Sequence, residues 1–202
     1  MSYLKTVSKV SLVSVILTSL IVWAAGPASQ GVKSDEKPKT QTAVLAAGCF
    51  WGVEEFFRKT PGIVSTQVGY AGGTKENPTY PQVGSGSTGH AESVKIEYDP
   101  SKISYEDLLK LFFRMHDPTT LNRQGNDVGT QYRSEIFYTS EDQKKTAEKV
   151  MKLVNDSKKW NAPVTTKLEA AGTFYPAEEY HQKYLIKNPG GYDNHFLRKF
   201  TF

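Results

Sequence analysis

The chain has 202 residues, 38% hydrophobic and 12% aromatic, which is enough to bury the core of one domain and too apolar for disorder throughout. Its formal charge of +4 comes from 25 basic and 21 acidic residues, and setting aside Lys5 and Lys9 near the N-terminus leaves 23 against 21. That balance, with both signs interleaved in runs such as KKTAEKVMK and YEDLLKLFFR, excludes a basic footprint for nucleic acid.

Residues 1–28 have the layout of a signal peptide: Lys5 and Lys9, an uncharged, mostly apolar run from Val10 to Ala25, then small residues with a cut expected after Ala28. Left uncleaved, the same run would be an N-terminal membrane anchor, although it is short of the roughly 20 residues a spanning helix needs. Both readings place the protein outside the cytoplasm, as an exported, periplasmic or otherwise extracytoplasmic protein, with membrane association only if the segment is retained. No cysteine follows the run, which excludes lipid attachment there. Residues 29–41 are polar without apolar periodicity and read as a linker, so the folded domain is expected over 42–202.

TAVLAAG (42–48) has the length of a buried strand, and WGVEEFFRK after it puts Val53, Phe56 and Phe57 at helical spacing. The only cysteine of the chain, Cys49, falls at the junction. A single cysteine forms no intramolecular disulfide, so this thiol is either buried and inert or chemically used. At a strand-to-helix junction, the free N–H groups of the first helical turn and the positive end of the helix dipole are expected to favour its thiolate. Phe50 and Trp51 precede the core-facing stripe, so they read either as ordinary packing or as the mouth of a pocket.

Further strands are expected at 63–73, 92–100, 130–139 and 163–171, and helices at 103–118, 140–156 and 177–187. The helix at 103 opens with Ser104 as N-cap, Asp107 three residues on, and Ile103 and Leu108 at staple positions; Ser140 and Gln143 predict a second capping box. The glycine-rich segment 69–90 and the polar segment 119–134 read as long loops, of a length that is usually either functional or disordered. The pattern is that of an α+β domain, a mixed sheet with helices packed on it. In ESVKIEYDP, Glu92 shares a face with Val94, Ile96 and Tyr98. Such a carboxyl is either buried, with a raised pKa that keeps it a proton donor near neutral pH, or an edge carboxylate reaching solvent.

GCFWG at 48–52, the PTY ending at Tyr80 with the glutamate of TGHAE twelve residues later, NDVGTQYRS at 126–134, and YHQKYL at 180–185 together resemble the A class of peptide methionine sulfoxide reductases over roughly residues 42–198. The resemblance implies a two-layer α/β sandwich with a ferredoxin-like core, and as substrate the S epimer of methionine sulfoxide, free or in oxidised proteins. It implies that Cys49 is the nucleophile and that Phe50 and Trp51 hold the substrate's methyl group. Glu92 would protonate the sulfoxide oxygen, Tyr80 and Tyr132 would donate hydrogen bonds to it, and Asp127 would line the site. His181 and Tyr184 match positions near the site, where core packing explains them equally well.

The chemistry suits these residue types on their own terms. A sulfoxide oxygen leaves only if a proton reaches it, and oxygen transfer to a thiol yields a sulfenic acid. Many members of the resembled family carry a recycling cysteine in the tail; NPGGYDNHF has Asp193 and Asn194 there. An external reductant is therefore expected, a thioredoxin-like or glutaredoxin-like protein or a small thiol. No bound cofactor and no metal are expected, since His90, His116, His181 and His195 lack ligand spacing and no phosphate-cradling glycine motif occurs. A monomer is expected. Three other readings stay open: a one-cysteine peroxidase, a cysteine hydrolase, which would need a base that nothing nominates, and a non-catalytic binder of oxidised methionine.

Overall fold

A computed structural model describes residues 2–3 and 39–202. The leader (1–28) and linker (29–41) therefore lie outside the described residues, apart from 2–3 and 39–41. Along the chain follow β1 (Gln41–Ala47), α1 (Phe50–Arg58), β2 (Ile63–Ala71), α2 (Tyr80–Gly84), β3 (Ala91–Tyr98), α3 (Tyr105–Met115), β4 (Arg123–Gln124), β5 (Asp127–Val128), β6 (Ser134–Tyr138), α4 (Glu141–Ser157), β7 (Lys167–Ala170), β8 (Tyr175–Pro176) and α5 (Tyr184–Lys187).

Six strands form one sheet in the order β7-β6-β1-β3-β2-β8, and β4 with β5 makes a small separate hairpin. β1 is central and antiparallel to both β3 and β6, β2 is antiparallel to β3, and β7 runs parallel to β6. The units β1-α1-β2 and β3-α3-β6 thus interleave as two split βαβ motifs, the ferredoxin-like arrangement. Alternate residues explain the layers. Ala43, Leu45 and Ala47 of β1, Val68 and Tyr70 of β2, and Val94, Ile96 and Tyr98 of β3 face the main core, against α1, α3 and α4. Val44, Ala46, Ala71, Ala91 and Phe137 face the other side and pack under Ala171 and Phe174. With both faces covered, β1 reads as an unbroken apolar run rather than an alternating one.

The helix starts obey local chemistry. Asp107 N–H donates to Ser104 Oγ at 3.1 Å, and Gln143 N–H donates to Ser140 Oγ at 3.2 Å. The second box is not reciprocal: Gln143 Oε1 accepts from Thr139 N–H instead, and its amide donates to Thr42 O at 2.7 Å, tying α4 to β1.

Four expectations need correction. The strand expected from 130 begins only at Ser134, because residues 130–132 make a 3₁₀ turn after Gly129 (φ 152°). The strand expected over 163–171 shortens to Lys167–Ala170 at the sheet edge. The long helix expected over 177–187 is only the four residues of α5. Its apolar spacing is genuine, but Lys183 adopts a left-handed conformation (φ 55°), and Ala177 N–H donates to Val68 O, extending the β2 edge instead. The 69–90 segment, expected to be loop throughout, contains α2, begun by a capping box between Thr79 and Gln82.

Candidate active site

The site lies where β1 hands over to α1. Gly48 takes φ +94°, a conformation that favours glycine, and a Cβ there would approach Gln124 Cβ to 2.6 Å. That turn leaves Cys49 as the residue capping α1, with 8% of its surface exposed. The thiolate expectation is corrected here. The amides of Trp51 and Gly52 do favour the thiolate, but burial, followed by the Glu92 carboxyl, outweighs them and pushes the Cys49 thiol well above the ordinary cysteine range. The resting thiol is protonated.

Glu92 settles toward burial. It sits on β3 between β1 and β2, paired across from Tyr70, and is 2% exposed. Its Oε2 accepts the Phe50 N–H at 3.0 Å, so the carboxyl meets the first turn of α1 next to Cys49. Burial raises its pKa to about 8, the Phe50 amide pulling down and Asp127 pushing up. Near neutral pH this group keeps its proton.

Around this pair the fold gathers residues far apart in sequence. Phe50 turns into the core, 1% exposed, against Tyr70 and His181, with ring centroids 6.0 and 5.0 Å away. Trp51 is half-buried, lies flat on Tyr184 at 3.7 Å and 9°, and donates its indole N–H to His181 Nδ1 at 3.0 Å. Since indole only donates, His181 Nδ1 is the accepting nitrogen, and the imidazole proton resides on Nε2, which is buried without a protein partner. His181 and Tyr184 are thus the supports of the Trp51 ring. Tyr80 packs on His181 at 4.4 Å. Burial, then Glu92 and Cys49, lift the Tyr80 pKa to about 12 despite the Tyr132 hydroxyl beside it, and Tyr132 is raised by burial and by the same neighbours. Both phenols stay protonated at neutral pH. Asp127 stands at the rim, its Oδ2 accepting from Tyr192 Oη–H and from Asn194 Nδ2, each at 3.1 Å.

Sequence reasoning missed what braces these groups. The tail lies against α1: a Cβ on Gly52 would come within 2.1 Å of Asp193 Oδ1 and 2.3 Å of His195 Nδ1, and His195 Nε2 donates to Ala47 O at 2.7 Å. Asp193 therefore packs on α1 at Gly52, three residues beyond Cys49, while Asn194 packs beside Gly125 and donates to Gln124 O. Glu54, 1% exposed, accepts from Thr66 Oγ1, Lys183 N–H and Lys183 Nζ, clamping the segment that carries His181 and Tyr184. The detectable signal was a charged residue, Glu54, one position from the apolar stripe of α1. A surface cavity of about 530 Å³ opens at the opposite end of β1, around Gln41, Tyr105 and Gln143, and no group of the Cys49 site lines it. Among the described residues, no cluster of three His, Cys, Asp or Glu side chains could hold a metal.

A model of the family described as peptide methionine sulfoxide reductase matches residues 41–201. A peptide methionine sulfoxide reductase MsrA of Methanothermobacter thermautotrophicus is 56% identical over 149 residues, covering 74% of this chain and 88% of that protein. The crystal structure of Mxr1 from Saccharomyces cerevisiae in reduced form superposes with a TM-score of 0.76 at 41% identity, over 81% of this chain and 95% of that one. The structure of Mxr1 in complex with Trx2 gives a TM-score of 0.55 at 28% identity, over 84% and 97%. With four-fifths of the chain matched by the family model and more than half of the aligned residues shared with a relative, this chain belongs to the peptide methionine sulfoxide reductase family.

Proposed function

We propose that the protein reduces methionine S-sulfoxide, free or in oxidised proteins, to methionine at the expense of an external thiol. The observation that carries this reading is the Phe50 amide to Glu92 bond, which sets a carboxyl that is still protonated near neutral pH beside the lone thiol. With the substrate's S-methyl group against Phe50 and Trp51, its oxygen faces Glu92, Tyr80 and Tyr132. Cys49 Sγ attacks the sulfoxide sulfur while the oxygen gains a proton, which makes it transferable. The site starts with one proton on sulfur and one on Glu92. It ends with one in Cys49–SOH and one on Glu92, and the released thioether is methionine. A neutral Glu92 also withdraws the charge that opposes ionisation of the thiol, leaving the Trp51 and Gly52 amides to stabilise negative charge as it develops on sulfur.

The sulfenic acid is then displaced by an external thiol, giving a mixed disulfide and water, and a second thiol restores Cys49. No second cysteine exists in the chain to do this internally. A thioredoxin-like protein is the proposed reductant, supported by the crystallised pairing of yeast Mxr1 with Trx2. The leader-like residues 1–28 support action outside the cytoplasm.

Intact-mass analysis of the reductant-free protein mixed with methionine S-sulfoxide tests the reading. Expected are one added oxygen on Cys49 and one methionine per chain, then a halt until thiol is supplied. Oxidation by peroxide with no methionine released from the sulfoxide would make it a peroxidase, and sulfoxide recovered unchanged would make it a binder.

A further inference from the structure

Tyr80 stands at the first position of α2, which the buried Val83 ties to the core but which few short polar bonds orient. Five residues are too few for a helix to be stable alone. Its links to the adjoining 130–131 turn are long: Gln131 Nε2 donates to Gly84 O, and Thr130 Oγ1 to Gly86 O just past the helix end, each at 3.4 Å. Against these stands one short bond to a charged group. Glu178 Oε1 accepts the Tyr80 N–H at 2.9 Å, across 98 residues of sequence. The other oxygen, Oε2, accepts the Tyr70 hydroxyl at 2.8 Å, and Tyr70 is itself fully buried on β2, opposite Glu92 in the β2–β3 pair. The backbone of Glu178 continues the chain of contacts, its carbonyl accepting His181 N–H at 2.9 Å.

We propose that Glu178 is a positioning residue for sulfoxide reduction, its carboxylate holding Tyr80 at the angle from which the phenol reaches the sulfoxide oxygen. This rests on the function proposed above. Two acceptor oxygens are needed: Tyr70 fixes the carboxylate's rotamer from β2, and the carboxylate in turn fixes the Tyr80 backbone. Burial would raise this group, but the Tyr80 amide and Tyr70 hydroxyl bonds outweigh it and hold Glu178 below the usual carboxylate range, so it remains ionised and accepting at neutral pH. An amide of the same shape has one acceptor oxygen and one donating nitrogen. It can keep the Tyr80 N–H only by turning its nitrogen to Tyr70 Oη, which must then accept, and the buried phenolic proton is left without a partner.

The effect is confined to one half of the cycle, since only the first step protonates a sulfoxide oxygen. The test is Glu178→Gln in the full chain, alone and combined with Tyr80→Phe, with the milder Tyr70→Phe as a second variant. Two rates are measured: single-turnover methionine release, and reduction by excess dithiothreitol of a sulfenic acid formed beforehand with one equivalent of hydrogen peroxide. Glu178→Gln is expected to slow methionine release by about 10- to 100-fold, the scale of a misplaced reacting group, and to leave the thiol step unchanged. In the Tyr80→Phe background it should add less than about twofold, because both changes remove one contribution. Tyr70→Phe should show a smaller loss with the same dependence on Tyr80. Equal losses in both steps, or a loss that multiplies fully with Tyr80→Phe, would show that Glu178 serves stability alone and overturn the proposal. Failure of the wild-type protein itself to release methionine would instead overturn the function on which it rests.

Discussion

At the scale of single residues the site is governed by where its protons reside. Glu92 keeps its proton up to about pH 8, so methionine release should be constant below that pH and fall above it as the acid is lost. Glu92→Gln should slow single-turnover release by about 10²- to 10⁴-fold and abolish this pH dependence, while thiol reduction of a preformed sulfenic acid is preserved. The same group has a signature in stability. Between its usual range and about pH 8, the unfolded chain has lost the Glu92 proton while the native chain retains it, so the native state binds more protons and loses stability as pH rises. Denaturant midpoints of wild type and Glu92→Gln should therefore diverge in favour of the variant between about pH 5 and pH 8. Parallel curves would show a solvated carboxylate.

At the scale of elements, the site depends on segments that are irregular in themselves. Residues 177–187 hold His181 and Tyr184 under the Trp51 ring, and Glu54 clamps them by taking Lys183 N–H and Nζ together with the Thr66 hydroxyl. Glu54→Ala strands these buried donors and should cost roughly 1–3 kcal/mol in urea unfolding, at the lower end because Lys183 reaches solvent. The tail is docked as closely. Gly52→Ala drives a methyl group into Asp193 and the His195 ring, so the tail should lift off. Faster hydrogen exchange over residues 192–198, with β1 and β3 still protected, is the expected result.

At the scale of the whole molecule, one cysteine sets the stoichiometry. Turnover should stop after one methionine per chain and resume in proportion to added thiol. Under the proposed function, handedness is likewise a property of the assembled pocket, because Phe50 and Trp51 come from α1 while the proposed proton donors Glu92, Tyr80 and Tyr132 come from β3, α2 and the turn before β6. With the methyl group placed on the first set, only one sulfoxide epimer points its oxygen at the second. Purified S epimer should be consumed and the R epimer left nearly untouched, as followed by chiral separation of the remaining sulfoxide.

Much of this was legible in the chain alone, because local chemistry decides it. The amphipathic spacing of α3 and α4 and the face shared by Glu92, Val94, Ile96 and Tyr98 follow from periodicities of 3.6 and 2, the strand β1 from its short apolar run, and the Ser104 and Ser140 caps from side chains that accept backbone N–H groups. Cys49 at a strand-to-helix junction followed from the same reading. What only the tertiary structure decided are effects carried by distant neighbours. The helix terminus at Cys49 favours a thiolate, as read from sequence, but burial and Glu92 oppose it more strongly, and neither desolvation nor a residue 43 positions away has a local signal. Residues 177–187 have helical spacing, yet Gln182 gives its amide to Val68 and Ala177 carbonyls, and Lys183 to Glu54, so long-range bonds override local propensity. Sequence determined which side chains could do the chemistry; the fold decided which of them hold protons and what keeps each in place, because those depend on burial and on partners that meet only after folding.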